Sequence, residues 1–199
     1  YDGHGKCFEN SALRYDGEWR GGVRNGYGKS FEDGILIYDG TWVNNNAHGH
    51  GKTFRPDGSL DYDGGWKENQ RSGHGKTFHS DGSLEFDGEW RNNKAYGNGK
   101  LYGKLHEDDV MLQYDGEWKN DQRDGHGKMF YLDDVTLAYD GEWKEDERCG
   151  HGKAFLKNGN LRFDGEWKNH DENGHGTSFH LDGTTIAFEG DWKDGERDG

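Results

Sequence analysis

Six histidines occupy one sequence context, each between the glycines of a Gly-His-Gly triplet, and imidazole is the commonest metal ligand among side chains. They are His4, His50, His74, His126, His151 and His175. If the triplets lie on successive β-hairpins, equivalent side chains are about 9–10 Å apart, twice the spacing between strands. Such imidazoles cannot share a zinc ion, which needs ligands at about 2 Å. Because Tyr27 and Asn98 also replace the histidine in two copies, the pattern predicts strand surface residues and no metal.

Acidic residues are the second candidates for chemistry, because one aspartate recurs in each of seven copies. They are Asp16, Asp39, Asp63, Asp87, Asp115, Asp140 and Asp164. A catalytic carboxylate pair is unique in an enzyme, whereas repeated aspartates are typical of a scaffold. The acidic loops at 107–109 and 133–134 lack the spacing of a calcium loop, and Gly-x-Gly-Lys lacks the rest of a phosphate-binding loop. The sequence therefore predicts no catalytic residue, no cofactor and no enzyme.

These residues belong to a repeat marked by eight tryptophans, spaced by 23 to 28 residues. The tryptophans are Trp19, Trp42, Trp66, Trp90, Trp118, Trp143, Trp167 and Trp192. Each ends a phrase such as YDGEW, and seven residues after each of the first seven begins a Gly-x-Gly. The paired glycines are Gly26 and Gly28, Gly49 and Gly51, Gly73 and Gly75, Gly97 and Gly99, Gly125 and Gly127, Gly150 and Gly152, and Gly174 and Gly176. All variation in length lies between the Gly-x-Gly and the next Leu or Ile, which predicts a surface loop there.

Each copy predicts two strands joined by a tight turn. Residues 112–118 alternate apolar and polar side chains, the period of a strand with one buried face. Residues 125–130 are expected to form the return strand. The third residue after every Trp is Gly, Asn, Asp or His, and these types tolerate positive φ. We therefore expect one left-handed residue in the six-residue connection of each hairpin.

The glycines predict how the two strands pack. We expect Trp118 to face Gly125 and Gly116 to face Gly127. Facing glycines leave a bare strip of backbone over which Tyr and Trp rings can lie. The eight tryptophans and the paired glycines are therefore predicted to be structural.

The composition indicates that a single repeat is not stable alone. The chain has 199 residues, of which only 29% are hydrophobic and 14% aromatic. One repeat of this composition cannot offset the entropy of ordering it, so each must stack on its neighbours. We expect a single array over 1–199, with an incomplete unit at each end (1–10 and 188–199). No apolar run long enough to span a membrane and no signal peptide is visible, so an intracellular location is expected.

Repeated Y-x-G-x-W followed by Gly-x-Gly, in eight copies across practically the whole chain, resembles the MORN (membrane occupation and recognition nexus) repeat. The resemblance implies an all-β, elongated, twisted antiparallel ribbon or solenoid of stacked β-hairpins. It also implies a non-enzymatic structural or scaffold protein that binds protein partners, by self-association or in a large cytoskeletal, axonemal or viral-type assembly. Two alternatives stay open: a module that associates with membranes or phosphoinositides, and the regulatory MORN region of a longer enzyme.

A second aromatic column is the candidate partner-binding surface. Its members are Phe8, Phe31, Phe54, Phe78, Tyr102, Phe130, Phe155 and Phe179. They have the opposite parity to the glycines, so they either curl over the strand end or form an exposed strip. An exposed strip would bind a peptide, a helix or a second copy.

Charge narrows the choice of partner. The net charge of −14 disfavours nucleic acid and anionic membranes, both of which select clustered Lys and Arg. A lysine follows the Gly-x-Gly in seven copies: Lys6, Lys29, Lys52, Lys76, Lys100, Lys128 and Lys153. A free basic stripe of these would favour membranes, but each is expected to pair with the aspartate of its own hairpin, as Lys128 with Asp115. The longest loop, at 103–110, is predicted to be a partner-specific insertion.

Overall fold

A computed structural model describes residues 1–104, 109–132 and 135–198. Every regular element among these residues is a β-strand. The strands form two compact units, Tyr1–Lys94 and Ala95–Gly199. The predictions for the acidic loops and for the insertion at 103–110 fall largely on residues 105–108 and 133–134, which lie outside the described residues.

Within each unit, consecutive strands pair antiparallel in chain order. The first unit contains β1 (Gly3–Glu9), β2 (Ala12–Arg20), β3 (Val23–Glu32), β4 (Ile35–Val43), β5 (Asn46–Phe54), β6 (Leu60–Lys67), β7 (Gln70–Phe78) and β8 (Leu84–Arg91). The second contains β9 (Lys94–Lys104), β10 (Val110–Lys119), β11 (Gln122–Phe130), β12 (Leu137–Lys144), β13 (Glu147–Phe155), β14 (Leu161–Lys168), β15 (Asp171–Phe179), β16 (Ile186–Lys193) and β17 (Glu196–Arg197). The prediction of an all-β fold built from antiparallel hairpins is confirmed.

The turn after each tryptophan is tighter than predicted. Only two residues separate the strands, such as Asn44 and Asn45 between β4 and β5. Both have positive φ, at 49° and 68°, which is the backbone of a type I′ turn. The third residue after each Trp is left-handed, as predicted. The prediction missed the second left-handed residue and the shortness of the connection, because a two-residue hairpin that follows the twist of its strands needs both central residues left-handed.

The register within each hairpin was partly predicted. Gly116 does face Gly127, but Trp118 faces Arg123 and not Gly125. The reason is a bulge, in which residues 124–126 lie opposite Glu117. Trp118 faces the first glycine of the preceding hairpin, Gly97. The bulge therefore turns the tryptophan towards the repeat before its own.

The two glycines of a Gly-x-Gly are required for different reasons, as Gly49 and Gly51 show. Gly49 has φ +80°, a conformation that side chains disfavour. Gly51 is extended, but a Cβ there would lie 2.6 Å from Cε2 of Tyr38, whose ring covers the strand. The first glycine therefore allows the bulge, and the second makes room for a ring.

Candidate interaction face

Rings of tyrosine or phenylalanine and tryptophan alternate along one face of the strands. Within a repeat, the Tyr or Phe centroid is 5.0–5.4 Å from that of the Trp four residues on. The same ring lies 5.3–5.6 Å from the Trp of the next repeat. All these pairs are edge-to-face, the arrangement that aromatic quadrupoles favour. We call this surface the aromatic face.

Each tryptophan also hydrogen-bonds to the repeat before it. The indole N–H of Trp42 donates to the Gly28 carbonyl at 3.0 Å, and Trp143 donates to Gly127 at 3.1 Å. The same bond occurs for all eight tryptophans, at 2.9–3.1 Å. The structure thus places the tryptophans and the second glycines predicted to be structural at the junctions between repeats.

Burial under neighbouring rings changes the acidity of the tyrosines. Tyr62 is fully buried, and burial, opposed by the Arg71 guanidinium, raises its pKa to about 12. Burial likewise raises the pKa of Tyr15 to about 12, again opposed by an arginine, Arg24. Burial also raises the pKa of Tyr38, where no arginine opposes it. Tyr38 therefore lies in a different environment from Tyr15 and Tyr62.

The turn residues link neighbouring repeats in a way that the sequence analysis missed. The Asn69 N–H donates to the Ala47 carbonyl at 3.1 Å, and its side-chain oxygen accepts the Ala47 N–H at 2.7 Å. Asn45 and Arg24 form the same pair of bonds. The available signal was that Asn and Asp both tolerate positive φ and carry an acceptor, whereas glycine has only the first property.

Five arginines cover the aromatic face at equivalent positions, five residues after a tryptophan, and the last of them, Arg197, lies 4.9 Å from the Phe188 centroid. The Arg24 guanidinium carbon lies 5.6 Å from the Tyr15 centroid and 4.3 Å from that of Trp42. Arg71, Arg123 and Arg148 occupy the same place in their repeats. These are cation–π contacts, strengthened where the guanidinium is partly withdrawn from water. They too were absent from the sequence predictions.

The opposite face carries the repeated polar residues. His74 and Lys76 both contact Asp87 of the next strand, each at 3.0 Å. His50 and Lys52 contact Asp63 in the same way, at 3.1 Å. We call this surface the polar face.

The lysine column pairs in a different direction from that expected. All seven lysines form an ion pair with the aspartate of the following hairpin, at 3.0–3.6 Å. Lys128, for example, pairs with Asp140 and not with Asp115. Backbone pairing places Lys128 opposite both aspartates, but the side chain reaches the one on the next repeat.

The candidate partner-binding aromatics lie where the strand register shifts. Phe31 faces Leu36 while its neighbour Ser30 faces Tyr38, so Ile37 is an extra residue on β4. Seven members of the column are half-buried, whereas Phe8 is 58% exposed. The column is therefore partly accessible along its length.

One member of the column, Phe31, opens into a cleft of the first unit. The cleft has a volume of about 520 Å³, and Phe31, Ile37 and Trp42 form its apolar part. Arg24 and Asn69 contribute polar groups, and the remaining lining is Glu9, Arg14, Ser30, Glu32 and Asn45. A second cleft in the other unit, of about 390 Å³, is lined mainly by charged and amide side chains around Trp167.

Two further features of the described residues bear on other functions. Among residues 1–104, 109–132 and 135–198, no group of three or more His, Cys, Asp or Glu side chains is placed to hold a metal ion. The same part of the chain contains no helix long and apolar enough to cross a membrane.

Comparison with known proteins agrees with this architecture. The family model described as MORN repeat matches residues 15–35, 38–60, 62–84, 86–104, 114–133, 139–161, 163–185 and 188–199. Comparison with curated proteins gives no match. Because the eight matched segments cover most of the sequence and coincide with the paired hairpins, the chain belongs to the MORN repeat family.

Proposed function

We propose that this chain is a non-enzymatic scaffold that binds a protein partner on its aromatic face, as part of a larger assembly. The observation that carries the proposal is the cleft over Phe31, Ile37 and Trp42. An apolar floor with a charged and amide rim is the usual composition of a site for an extended peptide or an amphipathic helix.

The polar face supports the same assignment. Its histidines and lysines contact aspartates of the next repeat, as His74 and Lys76 contact Asp87. A lysine column offset by carboxylates attracts phosphate groups weakly, which argues for a protein partner over an anionic membrane. The regulatory region of a longer enzyme remains compatible with this proposal, because such a region also acts by binding protein.

Co-purification from the source cells tests the proposal with a pair of matched variants. Ile37→Ser removes an aliphatic side chain from the cleft, and Val43→Ser removes one from the same strand outside it. We expect the same partner to be retained by the wild type and by Val43→Ser and to be lost by Ile37→Ser. Equal loss or equal retention by the two variants would remove the cleft from the proposal.

Vesicle sedimentation separates the membrane alternative. The proposal predicts no sedimentation of the chain with vesicles, with or without phosphoinositides, at physiological salt. Sedimentation that requires phosphoinositide and weakens when Lys52 and Lys76 are changed to Gln would favour the membrane module instead.

A further inference from the structure

The ladder of arginines on the aromatic face of the first unit is interrupted in the second repeat, where the residue equivalent to Arg24 is Ala47. Arg24 precedes it and Arg71 follows it in neighbouring hairpins. Ala47 is buried, and its short side chain leaves the rings of Tyr38 and Trp66 without a guanidinium. Among the residues that the structure describes, no cation lies over this ring pair.

The groups that bind an arginine elsewhere are nevertheless present. Tyr38 and Trp66 have centroids 5.5 Å apart at 88°, close to the 5.6 Å and 88° of Tyr15 and Trp42 beneath Arg24. The guanidinium of Arg24 also donates to the carbonyl of the next turn, Asn45, at 3.4 Å.

That turn carbonyl recurs in the second unit and has an equivalent beside Ala47. Arg123 and Arg148 donate to the carbonyls of Asp146 and His170, each at 3.0 Å. The equivalent carbonyl beside Ala47 belongs to Asn69, which also lines the cleft.

We propose that Tyr38, Trp66 and the Asn69 carbonyl form a seat for an arginine side chain supplied by a protein partner. This inference rests on the proposed function and names the chemistry of the partner. The chain itself provides the template, since Arg24, Arg123 and Arg148 each place a guanidinium over the equivalent two rings and turn carbonyl.

Equivalent seats are reached by solvent, because the arginines that fill them, Arg71 and Arg123, keep 22% and 24% of their side-chain surface exposed. At the unfilled seat Tyr38 is buried, but Trp66 is only half-buried and Asn69 is exposed.

The net charge of the chain favours a basic occupant. The chain carries a net charge of −14, so it attracts a basic segment and repels a second copy of itself. No ion pair is needed beside the guanidinium, because Arg24 fills its seat through the two rings and the Asn45 carbonyl. An arginine on an extended basic segment meets these conditions, and its backbone would continue along the cleft from Asn69 towards Phe31.

A small probe tests the seat without knowledge of the partner. N-acetyl-arginine amide is titrated into the ¹⁵N-labelled chain while the indole N–H resonances are followed, with N-acetyl-citrulline amide as the uncharged control of the same shape. We expect the Trp66 resonance to shift with the arginine probe and not with the citrulline probe. Trp42, already covered by Arg24, should not respond. Equal shifts with both probes, or no shift of Trp66, would overturn the proposal.

Two variants make the test reciprocal. Ala47→Arg fills the seat from within the chain and should weaken probe binding at Trp66 at least about tenfold. Arg24→Ala empties a filled seat, so Trp42 should begin to respond to the arginine probe. This second variant keeps the proposal falsifiable if Ala47→Arg does not fold. An unchanged Trp66 response in folded Ala47→Arg, or a silent Trp42 in Arg24→Ala, would contradict the seat.

The outcome is separable from that of the scaffold proposal. If the partner is lost by Ile37→Ser but retained by Ala47→Arg, the scaffold proposal stands and the arginine seat is removed. A probe that binds while no partner is retained would leave the seat intact and remove the scaffold proposal.

Discussion

The aromatic face and the polar face connect the same repeats by different physical means. On the aromatic face, neighbouring repeats share buried rings and an indole hydrogen bond, as Trp42 does with Gly28. On the polar face, they share solvent-exposed ion pairs, as Lys76 does with Asp87. Burial of apolar surface and a shielded hydrogen bond contribute more than exposed charge pairs. The aromatic face therefore provides most of the stability, and the polar face adds alignment and solubility.

The largest expected effect comes from adding one methyl group beneath a ring. Gly51→Ala should lower the free energy of unfolding by about 2–4 kcal/mol, because its Cβ overlaps the Tyr38 ring. Urea denaturation followed by tryptophan fluorescence measures the change.

Gly58→Ala is the matched control for that variant. Gly58 has positive φ, unlike the extended Gly51, but a Cβ there meets nothing within 4 Å, so a loss of only about 1 kcal/mol is expected. Equal losses for the two variants would show that the ring does not cover the strand.

The next effect isolates the indole hydrogen bond. Trp143→Phe keeps a ring in the ladder but leaves the Gly127 carbonyl without its donor at 3.1 Å. We expect a loss of about 1–3 kcal/mol in unfolding free energy, the cost of an unsatisfied buried acceptor. Denaturation in urea measures the loss. A loss below about 0.5 kcal/mol, the range of ordinary surface substitutions, would contradict the role given to the bond.

Alkaline pH should weaken the aromatic face, because it ionises buried tyrosines. The ordinary tyrosine pKa of 10.0 rises to about 12 for Tyr62 in the folded chain, so the folded state favours the neutral hydroxyl. Its contribution is complete below pH 10 and is lost as pH rises through about 12. Tyr62→Phe should flatten the stability profile over this range, as measured by unfolding at several pH values. An unaltered profile would contradict the burial of that hydroxyl.

The smallest effect is expected on the polar face. Asp87→Asn removes the ion pair with Lys76 and the contact with His74, whose side chains are 45% and 65% exposed, and should cost less than about 1 kcal/mol. The loss should shrink further at high salt, because exposed charge pairs are screened. A cost as large as that of Gly51→Ala would reverse the comparison between the faces.

The sequence predicted the hairpins because period-2 alternation and fixed spacings survive in every repeat, as in residues 112–118. It predicted that Gly116 faces Gly127, because facing glycines leave bare backbone on which aromatic rings can pack. It did not predict the bulge at Gly125, because positive φ and close packing both select glycine and the pattern does not separate them.

The links between repeats were hidden for a related reason. Asn69 contacts the preceding repeat and Arg71 contacts the following one. Within their own repeat, both have the sequence context of ordinary surface residues. Lys128 lies opposite Asp115 on one neighbouring strand and Asp140 on the other. Only the side-chain geometry selects Asp140. The candidate cleft likewise depends on Ile37 being apolar where the first and third repeats carry Arg14 and Asp61.

Site-specific photo-crosslinking tests most directly whether the aromatic face binds the partner. Phe31 and Tyr27 are aromatic residues of the same strand, one in the cleft and one on the polar face bonded to Asp39. A photoreactive phenylalanine analogue is placed at each position in turn, and crosslinks are identified in extracts of the source cells. The account predicts a specific protein crosslinked from position 31 and not from position 27. Crosslinks from position 27 alone would contradict it.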